Sequence, residues 1–122
     1  MTHLLAIDDS PCQQLILANQ LAGSGFTLLT ADSLSAAKSQ LRRYPVKLIL
    51  IELLLLTDNG FQLATRLRHL GHYPLVLMSA RKLAADQHWC RARGFRQLLQ
   101  RPLSSDQLVQ SLHQLLKEAT DA

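Results

Sequence analysis

Cysteine, aromatic and charged residues are all scarce in this chain of 122 residues. The two cysteines, Cys12 and Cys90, are too far apart in sequence for a metal or redox motif, so we interpret both as reduced thiols. Charged residues make up 18%, below the usual proportion of about 25%, and glutamine rather than a disordered tract fills the difference. These scarcities predict one compact domain, residues 1–122, that buries its core without disulfides or a structural metal.

A long apolar run is also missing. The stretch 48–56 contains Glu52 and is far shorter than the ~20 residues that a membrane-spanning helix needs. The chain enters its first apolar segment at Leu4 with neither a basic leader nor a long hydrophobic signal region, which predicts a cytoplasmic protein with no membrane partner. The net charge is +4, but the arginines are scattered between segments without interleaved aromatics, which disfavours a nucleic-acid partner.

The apolar stretch 48–56 is the segment around which the chain is organised. Tyr44-Pro45 precede it and turn-forming residues at 57–60 follow it, so we interpret it as a central strand. A strand that is apolar on both faces belongs in a parallel sheet covered by helices, where ligands collect at the carboxyl ends of the strands. Glu52 is expected to lie at that end.

Strands and helices alternate along the sequence. Strands are predicted at 3–7, 26–31, 48–56, 74–79 and 95–100. Helices are predicted after residue 10, after Asp32 or Ser33, after residue 104, and over 60–70 and 82–93, from their capping residues and terminal glycines. Apolar residues at helical spacing predict the buried helix faces: Leu15, Leu17, Ala18, Leu21 and Ala22 in the first helix, Leu34, Ala37 and Leu41 in the second, Phe61, Ala64 and Leu67 in the third, and Leu108, Leu112, Leu115 and Leu116 in the last.

Five repeats of strand and helix with short connections predict an α/β fold, a parallel sheet with right-handed crossovers and helices on both faces. The flavodoxin-like doubly wound order 2-1-3-4-5 is favoured for five strands. That order brings together the carboxyl ends of the first and third strands. Asp8, Asp9 and Glu52 are therefore expected side by side, flanked by Ser79 and Arg101.

Residues at four places in the sequence carry a resemblance to a known family. They are the acidic pair Asp8-Asp9 after the first strand, the acidic residue Glu52 eight positions before Gly60, Ser79 at the end of the fourth strand, and the pair Arg101-Pro102. Together they resemble the response-regulator receiver domain of bacterial two-component systems, of the chemotaxis (CheY-like) kind. The resemblance extends over nearly the whole chain.

The resemblance implies a role for each of these residues. In that family an acidic pair holds Mg²⁺, and an aspartate after the third strand takes a phosphoryl group from a histidine kinase. A hydroxyl and a lysine contact the phosphate. Carried over, Asp8, Asp9, Glu52 and the backbone carbonyl of Leu54 are the candidate Mg²⁺ ligands, and Ser79 is the switch hydroxyl.

Four positions depart from the family pattern: Glu52 replaces the phosphoacceptor aspartate, Arg101 the lysine, Leu56 a proline and Leu98 an aromatic residue. The longer carboxylate places its oxygens in the volume meant for the phosphoryl group, so Glu52 is expected to be a poor acceptor and to imitate the phosphorylated side chain. A planar guanidinium suits a carboxylate partner. We therefore predict a fixed, buried Glu52–Arg101 ion pair, and, as the resemblance implies, a cis Arg101–Pro102 bond.

These inferences predict an atypical receiver, a pseudo-receiver that is not an enzyme and acts in signal transduction by phosphorylation-independent protein–protein interaction, with Mg²⁺ binding weak or lost. The partner is expected to be a histidine kinase, an effector or an output protein. It would bind the fourth helix, fifth strand and fifth helix, where Trp89, Arg91 and Arg96 are candidate interface residues. A homodimer is a further candidate assembly.

Other interpretations stay open at the level of sequence. A metal-dependent receiver would still take a phosphoryl group from a small donor and hydrolyse it, using Asp8, Asp9 and Mg²⁺. A flavodoxin or nucleotide binder of the same fold would need a phosphate loop after the first strand, where Asp8 and Asp9 stand instead. Trp89 fits either the core under the fourth helix or an interface, and Cys12 fits either a buried or a reactive thiol.

Overall fold

Five parallel strands form a single sheet in the computed structural model, which describes residues 2–55, 59–79 and 87–121. The strands are β1 (Thr2–Ile7), β2 (Phe26–Ala31), β3 (Val46–Glu52), β4 (Leu75–Ser79) and β5 (Gln97–Gln100). The helices are α1 (Pro11–Leu21), α2 (Leu34–Arg43), α3 (Gly60–Arg68), α4 (Gln87–Ala92) and α5 (Ser105–Asp121). The strand order β2-β1-β3-β4-β5 confirms the predicted flavodoxin-like arrangement.

Short polar side chains begin four of the helices. Each accepts a hydrogen bond from a backbone N–H of the first turn, which would otherwise have no partner. The pairs are Ser10 with Gln13, Ser33 with Ala36, Asn59 with Gln62, and Ser104 with Gln107. The helices therefore begin at the edge of the sheet where the parallel strands have their carboxyl ends. We call this edge the site edge. The helices end at the opposite edge.

The sheet divides the hydrophobic core into two layers. One layer lies between the sheet and α2, α3 and α4, and includes Ala37, Leu63, Ala64, Leu67 and Cys90 from these helices. The other lies between the sheet and α1 and α5, and includes Leu17, Leu21, Leu108, Leu112 and Leu115. Side chains that alternate along β3 supply both layers, as expected of a strand that is buried on both faces.

The predicted buried face of α1 was wrong at three positions. Leu15, Ala18 and Ala22 are exposed, Leu15 by 62%, whereas Leu17 and Leu21 are buried. Successive residues turn by about 100° in an α-helix, so Leu15 stands roughly 200° from Leu17 and cannot share its face. The faces predicted for the second, third and last helices are confirmed, with Leu34, Leu41, Phe61 and Leu116 partly buried.

Several predicted boundaries shift. Strand β3 ends at Glu52 although the apolar stretch continues, and Leu54 leaves the strand and exposes 51% of its surface. Strand β5 begins at Gln97 because the Phe95 N–H still donates to the Cys90 carbonyl. Helix α3 ends at Arg68 in a tighter final turn. The first part of the predicted fourth helix, 82–86, lies outside the described residues.

Candidate functional site

The predicted site residues converge at the site edge. Asp8 follows β1, where its N–H donates to the Ala31 carbonyl, and Glu52 is the last residue of β3. Ser79 ends β4 and is fully buried, and its carbonyl accepts the N–H of Arg101 at 2.8 Å. Three parallel strands that end side by side thus bring together residues that are far apart in sequence.

Arg101 joins two carboxylates. Its Nη1 donates to Glu52 Oε2, and its Nη2 lies 3.2 Å from Asp8 Oδ2. The side chains are largely inaccessible, with 15% of Arg101, 5% of Asp8 and 10% of Glu52 exposed. The predicted Glu52–Arg101 ion pair is confirmed, and so is the cis Arg101–Pro102 bond. The guanidinium, however, is shared between Glu52 and Asp8 rather than held by Glu52 alone.

The remaining carboxylate oxygens also have donors. Asp8 Oδ1 accepts the N–H of Ser10 at 2.9 Å, and Glu52 Oε1 accepts the N–H of Leu54 at 3.4 Å. The backbone carbonyl of Asp8 accepts the side-chain amide of Gln14. All four carboxylate oxygens of Asp8 and Glu52 therefore contact donors from the chain itself, which fixes the orientation of both groups.

Burial is the largest influence on the pKa of the Glu52 carboxyl group. Loss of solvent raises the pKa of Glu52 above its ordinary value, because the charged form is disfavoured in a buried environment. The positive charge of Arg101 and the hydrogen bonds from Leu54 and Arg101 lower the pKa in part, and the negative charge of Asp8 raises it. The net direction is upward.

This arrangement does not fit the Mg²⁺ site that the resemblance implies. Mg²⁺ needs several oxygen ligands in near-octahedral geometry, whereas Arg101 occupies one oxygen each of Asp8 and Glu52. Within residues 2–55, 59–79 and 87–121, no group of three or more acidic, histidine or cysteine side chains is placed to hold a metal. Leu54 directs its N–H to Glu52, and Asp9 is half-buried.

Comparison with known proteins identifies the family. The sequence profile of the response regulator receiver domain matches residues 4–113. The chain belongs to the receiver-domain family. It is 30% identical over 110 residues to the sensor histidine kinase RcsC of Salmonella typhi, and 26% identical over 121 residues to the transcriptional regulatory protein GlrR of Escherichia coli K12. These matches cover 89% and 98% of the chain, but the chain spans only 12% and 27% of those proteins.

Solved structures agree with this receiver fold. The crystal structure of the receiver domain of TorR, a response regulator of the TMAO respiratory system, is 24% identical, with a TM-score of 0.83 and coverage of 97% of this chain and 98% of that one. A two-component response regulator from Clostridium difficile is 21% identical, with a TM-score of 0.84 and coverage of 96% and 97%. In the part of the receiver that the structure describes, no helix is both long and apolar enough to cross a membrane.

Gly60 supports the site from behind. A Cβ atom at this position would lie 2.8 Å from the carbonyl oxygen of Glu52 and 3.1 Å from the Cα of Leu53. The Gly60 N–H donates to the Leu53 carbonyl at 2.9 Å. The glycine therefore allows α3 to begin directly against the end of β3. From the sequence, Gly60 was interpreted as a turn residue and helix start, and this close approach to β3 was not predicted.

A cavity beside Arg101 was not predicted. Its volume is about 300 Å³, and it lies between α1 and the connection from β5 to α5. Most of its lining is apolar: Ile16, Leu17, Met78, Pro102, Leu103 and Leu108, with Gln13, Gln20 and Arg101 as the polar lining. Leu15 and Ile16, two consecutive apolar residues out of register with Leu17 and Leu21, were the available signal for an exposed apolar surface.

The candidate interface residues are described only in part. Arg91 and Arg96 are exposed, and Leu98 is buried within β5. The side chain of Trp89 and the whole of Leu56 lie outside the described residues, so both alternatives for Trp89 stay open. Cys12 is exposed and Cys90 is buried, and neither forms a disulfide, as the sequence indicated.

Proposed function

We propose that this receiver domain works without phosphorylation at Glu52, as a protein-interaction module in bacterial signal transduction rather than as an enzyme. The observation that carries the proposal is the position of Arg101, whose guanidinium bridges Asp8 and Glu52. In the receiver family these positions correspond to a metal ligand and the phosphoacceptor. In this chain the guanidinium of Arg101 supplies the positive charge that neutralises these two carboxylates.

Phosphoryl transfer would require this arrangement to come apart. The acceptor oxygen must lie in line with the leaving group, with placed charges around the phosphoryl group. Glu52 Oε2 accepts a hydrogen bond from Arg101, and Oε1 accepts one from the N–H of Leu54. The glutamate is also one methylene longer than aspartate, so its oxygens project into the space that an incoming phosphoryl group would need. Both features support loss of phosphoacceptance.

The same ion pair supports a permanently held output surface. Arg101 directly follows β5 and precedes α5, so its bonds tie this connection to the ends of β1 and β3. The surface formed by α4, β5 and α5 would then stay in one state. A histidine kinase, an effector or output protein, or a second copy of this domain would bind there through exposed residues that include Arg91 and Arg96, without a phosphodonor.

Incubation with acetyl phosphate and Mg²⁺ tests the proposal. We expect the intact mass to stay unchanged and inorganic phosphate to be released no faster than in protein-free buffer. The double variant Glu52→Asp/Arg101→Lys, which restores both family residues, is the matched positive control and should gain one phosphoryl group. Glu52→Asp alone should gain little, because the guanidinium still occupies the site.

A gain of one phosphoryl mass by the unaltered protein, or phosphate release that Glu52→Gln abolishes, would contradict the proposal. Either result would favour the alternative receiver that accepts and hydrolyses a phosphoryl group. Measuring phosphate release beside the mass is essential, because rapid hydrolysis would leave no adduct to detect.

A further inference from the structure

The edge opposite the site concentrates positive charge. Helices α2, α3 and α4 cover the same face of the sheet and all end at this edge. Arginines stand in or just after the last turn of each, and further cations flank the starts of β3 and β5. We call these eight residues the basic edge: Arg42, Arg43, Lys47, Arg66, Arg68, Arg91, Arg93 and Arg96.

Contacts between the ends of α3 and α4 make part of this edge continuous. Arg68 donates a hydrogen bond to the carbonyl of Arg93, and its guanidinium lies 5.9 Å from the ring centre of Phe95. The guanidinium of Arg93 lies 5.8 Å from the ring centre of Phe61 in the first turn of α3, so this side chain extends from the end of α4 toward the start of α3. Arg68 and Arg96 line one shallow cavity together with His72. The fold thus gathers arginines that are scattered in the sequence.

Acidic residues are distributed differently. Five of the described acids belong to the site edge: Asp8, Asp9, Asp32, Glu52 and Asp106. Glu118 and Asp121 are in the last turns of α5, which packs on the other face of the sheet. Over the described ranges, no carboxylate belongs to the ends of α2, α3 or α4.

The partial negative charges at the C-termini of the three helices offset only a small part of this positive charge. A helix C-terminus carries roughly half a negative charge, so three of them amount to about −1.5. Arg66 and Arg93 have further interactions within the chain, but the other six cations alone exceed this several-fold. An excess of this size attracts an anion from outside the chain.

We propose that the basic edge binds the phosphate backbone of duplex DNA. Seven of its eight cations are arginines, whose planar fork suits phosphate oxygens. Neighbouring helices lie about 8–10 Å apart, so three helix ends form a row of roughly 20 Å. A small anion contacts only part of such a row, whereas a duplex presents one charge every ~1.7 Å.

The surroundings of the arginines favour a duplex over two other polyanions. The rings of Tyr44 and Phe61 lie under arginines and Phe95 is buried, so they are not presented for stacking on the bases of a single strand. A membrane-binding surface inserts several large apolar side chains, whereas Leu70 is the one large apolar residue exposed at this edge within the described ranges. Binding is therefore expected to be independent of base sequence.

Fluorescence anisotropy with two labelled 20-base-pair duplexes of unrelated sequence tests this proposal. We expect equal affinities, with log K falling linearly with log salt at a slope of about −4 to −6 between 50 and 200 mM NaCl. Arg42→Gln/Arg96→Gln should weaken binding roughly tenfold and reduce the slope by about 2. Ser35→Glu/Gln62→Glu lowers the net charge by the same two units at exposed positions in the first turns of α2 and α3, at the site edge, and should change affinity less than about twofold.

Three results would overturn the proposal. Equal weakening by both double variants would indicate only attraction to the net charge. Tighter binding to a single strand of the same length would exclude the duplex as the preferred ligand. Binding to vesicles that contain anionic lipid but not to either duplex would assign the edge to a membrane surface. Circular dichroism of each variant checks the fold. The anisotropy measurement uses no phosphodonor and the mass measurement of the proposed function uses no DNA, so either proposal can fail without the other.

Discussion

Arg101 is the residue whose chemistry most affects the site, because its two terminal nitrogens contact different carboxylates. A lysine has a single ammonium group and would provide a point charge instead of a fork. This sharing changes what single substitutions should do. Removing Glu52 leaves Arg101 paired with Asp8, whereas removing Arg101 leaves two buried carboxylates without their cation.

Arg101→Met should therefore destabilise the protein far more than Glu52→Gln. Breaking a buried pair by removing the partner costs roughly 3–5 kcal/mol, and losing one hydrogen bond costs about 1 kcal/mol. Urea unfolding at pH 7, followed by circular dichroism, measures both. Arg91→Met, at an exposed arginine, is the control and should have little effect. Equal losses for the two site variants would show that Asp8 does not hold Arg101.

The raised pKa of Glu52 predicts a pH dependence of stability. A carboxyl group whose pKa is higher in the folded state contributes most below its unfolded pKa, and this contribution is lost as the pH rises through the folded value. The free energy of unfolding of the unaltered protein, relative to Glu52→Gln, should thus fall as the pH rises above about 4.5. Urea titrations from pH 4 to 8 measure this difference. A rise over that range would show that Arg101 outweighs burial.

The predicted strand order and the replacements at two family positions were enough to predict the Glu52–Arg101 pair, since a buried carboxylate needs a cation and a guanidinium fits it. The role of Asp8 as second partner of Arg101 was not predictable, because it depends on the spacing and side-chain conformations at three strand ends. The N–H of Leu54 was missed for a similar reason. Its direction is set by the chain leaving β3 after Glu52, in the middle of the stretch 48–56 that was predicted as one strand.

At the scale of elements, the junction of β3 and α3 depends on Gly60. Gly60→Ala should destabilise the protein by about 1–3 kcal/mol, because the added Cβ would meet backbone atoms of Glu52 and Leu53 that cannot move independently. Thermal and urea unfolding measure the loss. Gly71→Ala is the comparison, since its Cβ would meet the Tyr73 side chain, which can move. A gain in stability for Gly60→Ala would mean that the junction adjusts easily.

Local signals predicted helix starts better than helix faces. Ser10 begins α1 as expected, and Ser33, one of the two candidates with Asp32, begins α2, because a capping side chain acts within one turn. The face of α1 was misjudged because apolar residues occur around much of the helix, so their spacing did not single out Leu17 and Leu21. The end of α3 and the start of β5 depend on backbone bonds that form only after neighbouring elements pack.

At the scale of the whole molecule, the two core layers share one sheet. Leu63→Ala and Leu112→Ala, in opposite layers, should each cost about 2–5 kcal/mol. Both variants should unfold in one transition with an unchanged dependence on urea, because every central strand supplies side chains to both layers. Leu15→Ala, at an exposed position, should stay within about 0.5 kcal/mol of the unaltered protein. Two separate transitions in either core variant would show that the layers unfold independently.

The fold was predictable because strand and helix patterns alternate five times and few topologies suit that order. The distribution of charge over the surface was not. Arginines that lie one or two to a helix look scattered along the sequence, and only the parallel packing of α2, α3 and α4 places their ends in one row. This is why the DNA-binding proposal departs from the expectation drawn from the sequence.

The start of β1 and the end of α5 lie close together: Thr2 and Ala119 line one cavity with Lys47 of the basic edge. A segment joined before Thr2 or after Asp121 is therefore tethered beside that edge, roughly 20 Å from Glu52 along β3. A short flexible tether holds its cargo at an effective concentration of the order of millimolar. An acidic tag or tail at either end would thus mask the arginines in cis without reaching the ion pair of Glu52 and Arg101.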